Sequence, residues 1–267
     1  MPNMIYGTAW KKEETTRLVE LAINSGFRAI DTACQPKHYR EDLVGIALNN
    51  SFNKGIKRDE LFIQTKFTPI SGQDENNMPY LSSDDILTQL EKSFYTSKKN
   101  LNIDFIDSYL IHSPFSPIED LVKVYRTMEE FVQAGEVGQI GISNCYDFKL
   151  LSYLYDIAKI KPKVVQNRFY SESSYDKEIR AFCKQKNITY QSFWSLTANP
   201  HVLKSDIVQE LAKKYEKTVE QVFYKFLNEI NITPLNGTTS QIHMIEDLDI
   251  KSFSLESCEV DSISNLL

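Results

Sequence analysis

The sequence predicts an α/β protein whose parallel strands close into a single-domain (β/α)8 barrel, the TIM-barrel architecture. Three observations carry that prediction. Short apolar runs rich in Ile, Val and Phe recur from one end of the chain to the other. Each connection between them holds a helical pattern, which makes neighbouring strands parallel. The runs number eight, the count at which such a sheet closes on itself. The expected strands span residues 4–9, 28–33, 61–67, 105–113, 137–144, 164–170, 188–195 and 231–237.

The intervening segments read as helices. Leu18, Leu21 and Ala22 recur at helical spacing, and Gly26 is placed to end that helix in a left-handed cap. Ile118, Leu121, Val122, Tyr125 and Val132 repeat the pattern up to Gly135, and Leu150, Leu151, Leu154 and Ala158 follow. Thr218 opens a capping box with Gln221, after which Val222, Phe223, Phe226, Leu227 and Ile230 line one face. Segments 68–81 and 197–205 read as long loops on the barrel rim. No linker or low-complexity stretch divides the chain, so residues 1–267 are expected to form one barrel domain. The alternative architecture is an open doubly wound sheet. The chain has no G-x-G-x-x-G after its first strand, which counts against the dinucleotide-binding form of that sheet.

Composition narrows the function. The chain is 42% hydrophobic, 25% charged and 12% aromatic, which is globular composition, and it is long enough to bury a core without staples. Thirty Lys and Arg against 36 Asp and Glu give a net charge of −6, and no basic block marks a nucleic-acid binder. No apolar run approaches the ~18 residues of a membrane span. The N-terminal segment lacks the charged start and long apolar stretch of a secretory signal. Cys34, Cys145, Cys183 and Cys258 are scattered without a C-x-x-C pair, which disfavours disulfide and zinc readings and leads us to expect a reduced, cytoplasmic protein.

In a barrel of this kind chemistry sits at the carboxyl ends of the strands. There the sequence places Asp31, Lys66, His112, Ser143 with Asn144, Gln166 with Asn167, Phe193 through Ser195, and Asn236 through Ser240. Taken singly, each has an ordinary structural role as a cap, a surface ammonium or a hydrogen-bonded core group. A carboxylate, an ammonium and an imidazole gathered in one mouth would perturb one another's pKa values, and that convergence points to a catalytic site.

These residues resemble the aldo-keto reductase family over nearly the whole chain, from the Gly7-Thr8-Ala9-Trp10 segment to Asp247. The segments that carry the resemblance are Gly26 through Ala33, Thr65-Lys66, Asp107 through His112, Gly141 through Asn144, and Val165-Gln166-Asn167. The resemblance implies hydride transfer between a nicotinamide cofactor and the carbonyl of a small aldehyde or ketone. It implies a catalytic set of Asp31, Tyr39, Lys66 and His112. Tyr39 would give a proton to the carbonyl oxygen. The Lys66 ammonium, held by Asp31, is expected to lower the phenol's pKa, and His112 would orient the carbonyl. The family's tyrosine lies closer to its aspartate, so we read Gln35 through His38 as containing a three-residue insertion in a rim loop, which loops tolerate. His38 is a rival proton donor.

The resemblance also implies that Ser143, Asn144 and Gln166 bind the carboxamide, that Trp194 stacks on the nicotinamide, and that Ser195, Gly237, Thr238, Thr239 and His243 hold the rest of the cofactor. Leu235 and His243 stand where the family often has two cations. NADPH is still expected first and NADH second, with backbone amides and hydroxyls at the start of the last helix available to a phosphate. Trp10, Phe67 and Phe115 are the expected walls of the substrate pocket, and the short final stretch 253–267 suggests an open pocket. A monomer is expected. One alternative is a catalytically weak, cofactor-binding regulatory protein on the same scaffold. Another is a barrel lyase or isomerase; the lack of a clustered carboxylate–histidine set disfavours its metal-dependent forms.

Overall fold

A computed structural model describes residues 2–267. Its elements run β1 (Ile5–Gly7), α1 (Thr15–Ser25), β2 (Ala29–Asp31), α2 (Glu41–Asn53), β3 (Phe62–Phe67), α3 (Ile86–Leu101), β4 (Ile106–Ile111) and α4 (Ile118–Gln133) in the first half. The second half runs β5 (Val137–Ser143), α5 (Phe148–Ile157), β6 (Val164–Arg168), α6 (Lys177–Lys186), β7 (Thr189–Phe193), α7 (Pro200–Leu203), α8 (Asp206–Tyr215), α9 (Val219–Glu229), β8 (Ile232–Asn236), α10 (Gln241–Leu248) and α11 (Ser257–Ser264). The eight strands are parallel and form a closed barrel in sequence order, with β1 paired to both β2 and β8. Every strand expected from the sequence is present, shorter by at most two residues at either end. Part of the excess is flanking apolar residues such as Met4 and Ala33, which are buried but lie outside the strands.

Strand periodicity sorts the side chains. On β3, Gln64 and Lys66 point into the barrel and reach Asp31, while Thr65 points outward to Glu41 on α2. The barrel interior is therefore polar on this wall, and the apolar core lies mainly between strands and helices. Local signals fix the helix ends. Gly26 closes α1 at φ 113°, a conformation open to glycine, and Thr218 and Gln221 make the expected capping box on α9.

Three expectations need correction. Segment 197–205 is not all loop: Pro200 starts α7, its fixed φ suiting a first helical turn, and buried Asn199 secures the approach by donating to the carbonyls of Phe169 and Ser195. Segment 68–81 contains a 3-10 turn at Ile70–Gly72 and is pinned by the Tyr80 hydroxyl donating to the Thr68 carbonyl at 2.6 Å. Within 253–267, α11 packs on the outer layer, where Lys214 of α8 bridges Glu256 and Glu259. No helix among the described residues is long and apolar enough to cross a membrane.

Helix α2 positions the loop that carries Tyr39, and it lies hard against the end of α3. A Cβ on Gly45 would fall 1.9 Å from the Asn100 carbonyl oxygen, so only glycine fits. Gly45→Ala should cost about 3 kcal/mol through forced backbone movement, read as a lowered midpoint in thermal unfolding. An unchanged midpoint would mean that the α2–α3 contact yields freely.

Candidate active site

A cavity of about 870 Å³ opens at the carboxyl ends of the strands. At its floor lies a buried ion pair. The Lys66 ammonium donates to both Asp31 oxygens at 2.8 and 2.7 Å and to the Thr32 carbonyl at 2.8 Å, so all three of its protons are used. Asp31 Oδ1 also accepts from the amides of Gln64 at 2.7 Å and Gln166 at 3.0 Å. Gln191 links these two amides: its Oε1 accepts from both, and its own amide donates back to Gln64. The sequence pattern did not single out Gln64 and Gln191; two glutamines pointing into a barrel are the signal that could have found them.

Tyr39 sits over this pair. Its ring centroid is 5.5 Å from Lys66 Nζ and 5.9 Å from the His112 ring, which it meets edge-on. The insertion at Gln35 through His38 therefore does not separate the phenol from the other three residues. The electrostatics correct one expectation. Tyr39 has its pKa pushed up, not down: exclusion of water is the larger cause and the charge of Asp31 the second. Lys66 fails to lower it because its protons are turned to Asp31, whose charge offsets its own. Burial also lowers the pKa of Lys66 itself, against the pull of Asp31. His112 is pulled down to about 3, first by desolvation and then by the Lys66 charge, so its imidazole is neutral near pH 7. Its Nδ1 lies 2.7 Å from the Thr68 hydroxyl.

The strand ends expected to hold a cofactor reach the same cavity: Ser143, Asn144, Gln166, Trp194, Ser195, Gly237, Thr238 and His243 all line it. Ser143 donates to the Gln166 carbonyl and Asn144 to that of His112, so these side chains are already oriented by the frame. Three residues of the lining, Trp10, Asn144 and Trp194, hold left-handed backbone angles (φ 64°, 52° and 59°). Trp194 is 51% exposed, and the guanidinium of Arg168 lies 4.1 Å from its ring. Arg168 was not among the expected site residues, although it closes β6 two residues after Gln166 and so shares its inward face.

Some expected residues lie elsewhere. Lys66 is enclosed beneath the cavity and does not line it. Thr239 is also outside the lining. Phe67 is fully buried and pairs edge-on with half-buried Phe115, so of the three expected pocket walls only Trp10 borders the cavity. Phe67 points outward because it follows Lys66 on the strand. Residues 253–267 contribute nothing to the lining, since α11 lies on the outer layer.

The far end of the cavity is acidic. Glu220, Glu246 and Asp247 border it, Leu235 and His243 lie among them, and the Asn236 amide donates to Asp247. Burial, then the neighbouring Glu246 and Glu220 charges, push the Asp247 carboxyl up to about 7. Ser240 caps α10 by accepting from the His243 N–H, which leaves the N–H groups of Gln241 and Ile242 free of that cap.

The depressed pKa of His112 has a direct readout. In an NMR titration His112 should show no protonation step between about pH 5 and 8, where an ordinary imidazole titrates. A midpoint near the usual 6.5 would mean that water reaches the ring freely.

Residues 3–267 match the model of the Aldo/keto reductase family. The chain is 31% identical to glyoxal reductase of Bacillus subtilis, over 95% of this chain and 83% of that one. It is 27% identical to the methylglyoxal reductase DkgA of Escherichia coli, over 100% of this chain and 90% of that one. Among solved structures, an aldo-keto reductase from a deep-sea metagenome superposes with a TM-score of 0.84 at 28% identity, covering 100% of this chain and 91% of the other. An aldo/keto reductase from Brucella melitensis superposes with a TM-score of 0.83 at 27% identity, covering 100% and 95%. The chain belongs to the aldo/keto reductase family of oxidoreductases, which use nicotinamide cofactors.

Proposed function

We propose that the chain, residues 1–267 acting as one barrel domain, reduces small aldehydes or ketones to alcohols with NADPH, NADH being the alternative reductant. The observation that carries this reading is the grouping of Tyr39, His112 and the Asp31–Lys66 pair at one cavity floor. The activities for which two relatives are named, reduction of glyoxal and of methylglyoxal, support it.

The residues present fit a nicotinamide dinucleotide. The cavity is of the size that cofactor sites have, and it carries a half-exposed indole. Ser143, Asn144 and Gln166 would hold its carboxamide, Trp194 its nicotinamide ring, and Ser195, Gly237, Thr238, His243 and the first amides of α10 its phosphates, with Thr239 outside the lining. When bound, that cofactor supplies the hydride.

The chain's own residues handle the proton. Tyr39 keeps its proton on Oη at neutral pH, because water is excluded and Asp31 opposes a second negative charge. It gives that proton to the carbonyl oxygen, which becomes an alkoxide-like, stronger base than the phenolate left behind. His112 acts in its Nε2–H tautomer, in which Nδ1 accepts from the Thr68 hydroxyl and Nε2 donates to the same oxygen and orients it; the 2.7 Å contact allows this tautomer and the reaction requires it. A displaced Tyr39 and an altered phosphate clamp, with Leu235 and His243 in place of two cations, motivate a regulatory role without turnover; the ring's 5.9 Å approach to His112 weakens the first motive.

Purified protein mixed with a reactive aromatic aldehyde and either NADPH or NADH tests the reading. We expect multiple-turnover loss of reduced cofactor. Clear cofactor binding without turnover would overturn the reading in favour of the regulatory one. Leu235→Lys together with His243→Arg should tighten NADPH binding about tenfold by adding charge-assisted hydrogen bonds, and leave NADH binding unchanged. Fluorescence titration of the two reduced cofactors measures this. Equal tightening of both would place the adenosine phosphate elsewhere.

A further inference from the structure

We propose that His38 is a specificity residue whose Nε2 accepts a hydrogen bond from a hydroxyl group on the substrate, so that the site favours hydroxyl-bearing aldehydes over their deoxy counterparts. The proposal rests on the reductase reading and deepens it by naming a substrate class.

Four observations on the inserted loop lead to it. First, the insertion brings an imidazole to the cavity: His38 borders the same opening as Tyr39, the residue that follows it, and its charge when present is felt at His112. Second, the ring is held in place. It lies against the Trp10 ring with centroids 3.8 Å apart and planes tilted by 36°, and the Trp10 backbone N–H donates to the His38 carbonyl at 2.7 Å.

Third, the surrounding bonds fix which nitrogen carries the proton. Gln35, itself 7% exposed, donates its amide nitrogen to the Gly72 carbonyl at 2.6 Å. Its amide oxygen is therefore the atom 2.8 Å from His38 Nδ1. An oxygen acceptor there requires a proton on Nδ1, and a neutral imidazole then presents a lone pair at Nε2. Fourth, the ring is neutral at pH 7, since loss of water and the Lys37 charge both hold its pKa below the usual imidazole value. Among the described residues Nε2 has no hydrogen-bond partner. His38 lines the same opening as the proposed proton donor, so its unpaired, uncharged Nε2 is an acceptor that a substrate O–H can use. A propyl or phenyl group leaves it unpaired, and a site built to pair with a hydroxyl discriminates against a substrate that lacks one.

Glyceraldehyde and propanal supply the matched pair. The readout is the ratio of their kcat/KM values with one cofactor. In His38→Phe, which keeps an aromatic ring against Trp10, the ratio should fall about three- to tenfold relative to wild type, the worth of one neutral hydrogen bond. Gln35→Leu, which frees the ring to change tautomer, should lower the ratio in the same direction. A ratio that His38→Phe leaves unchanged would reduce His38 to loop packing and overturn the proposal. Nitrogen-15 NMR of the His38 ring gives a second test that does not depend on activity, practical in a chain with four histidines: a proton on Nδ1 supports the assignment and a proton on Nε2 overturns it. Failure of wild type to oxidise cofactor with either aldehyde would contradict the reductase reading instead, and the tautomer would then decide the fate of this proposal alone.

Discussion

The rest of this structure depends on one buried ion pair, Asp31 with Lys66. The two side chains are 4% and 1% exposed and their charged atoms are 2.7 Å apart. Taking either charge out of water costs several kcal/mol, and mutual attraction alone does not offset that. The barrel supplies the remainder by saturation. Lys66 has a partner for each proton, and the glutamine amides of β3 and β6 converge on Asp31 Oδ1 while Gln191 of β7 locks them together. The array therefore ties opposite walls of the barrel to the floor of the cavity. Loss of one partner would strand the other charge, so the fold and the site share this constraint.

The same scarcity of water sets the protonation states above the pair. It holds Tyr39 protonated and His112 neutral, which is the combination a proton donor and a hydrogen-bond donor require in the proposed reaction. Geometry comes from the rim. The loop after β2 is tied to the loop after β3 by Gln35 on Gly72 and by the Gln73 amide on the Cys34 carbonyl. Two stitched loops hold the phenol over a rigid floor despite three additional residues, which is why the longer loop changes what borders the cavity and leaves Tyr39 near Lys66.

Much of this was legible in the sequence, for physical reasons that differ by element. The strands read as short runs rich in Ile, Val and Phe because their outward faces pack under the helices, so their number and order stood out even where the inward face is polar, while their ends blurred where core residues such as Met4 and Ala33 flank them. Capping chemistry at Gly26 and Thr218 was local and therefore readable. Phe67 looked like a pocket wall because it is aromatic and follows Lys66, yet strand alternation turns it outward. The direction of the Tyr39 shift was not readable: it depends on where the three Lys66 protons point, which is a tertiary fact. Arg168 and the paired Gln64 and Gln191 escaped notice because their meaning lies in partners more than a hundred residues away in two of the three cases or in contact with an aromatic ring.

The central claim is that a protonated Tyr39, held over the Asp31–Lys66 pair, carries the proton in carbonyl reduction. Comparing wild type with Tyr39→Phe tests it most directly, by measuring kcat for aldehyde reduction and the dissociation constant of the reduced cofactor on the same preparations. We expect kcat to fall by about 10²- to 10⁴-fold, the worth of a positioned general acid, with cofactor affinity unchanged. A Tyr39→Phe variant that keeps close to the full wild-type rate would contradict the account.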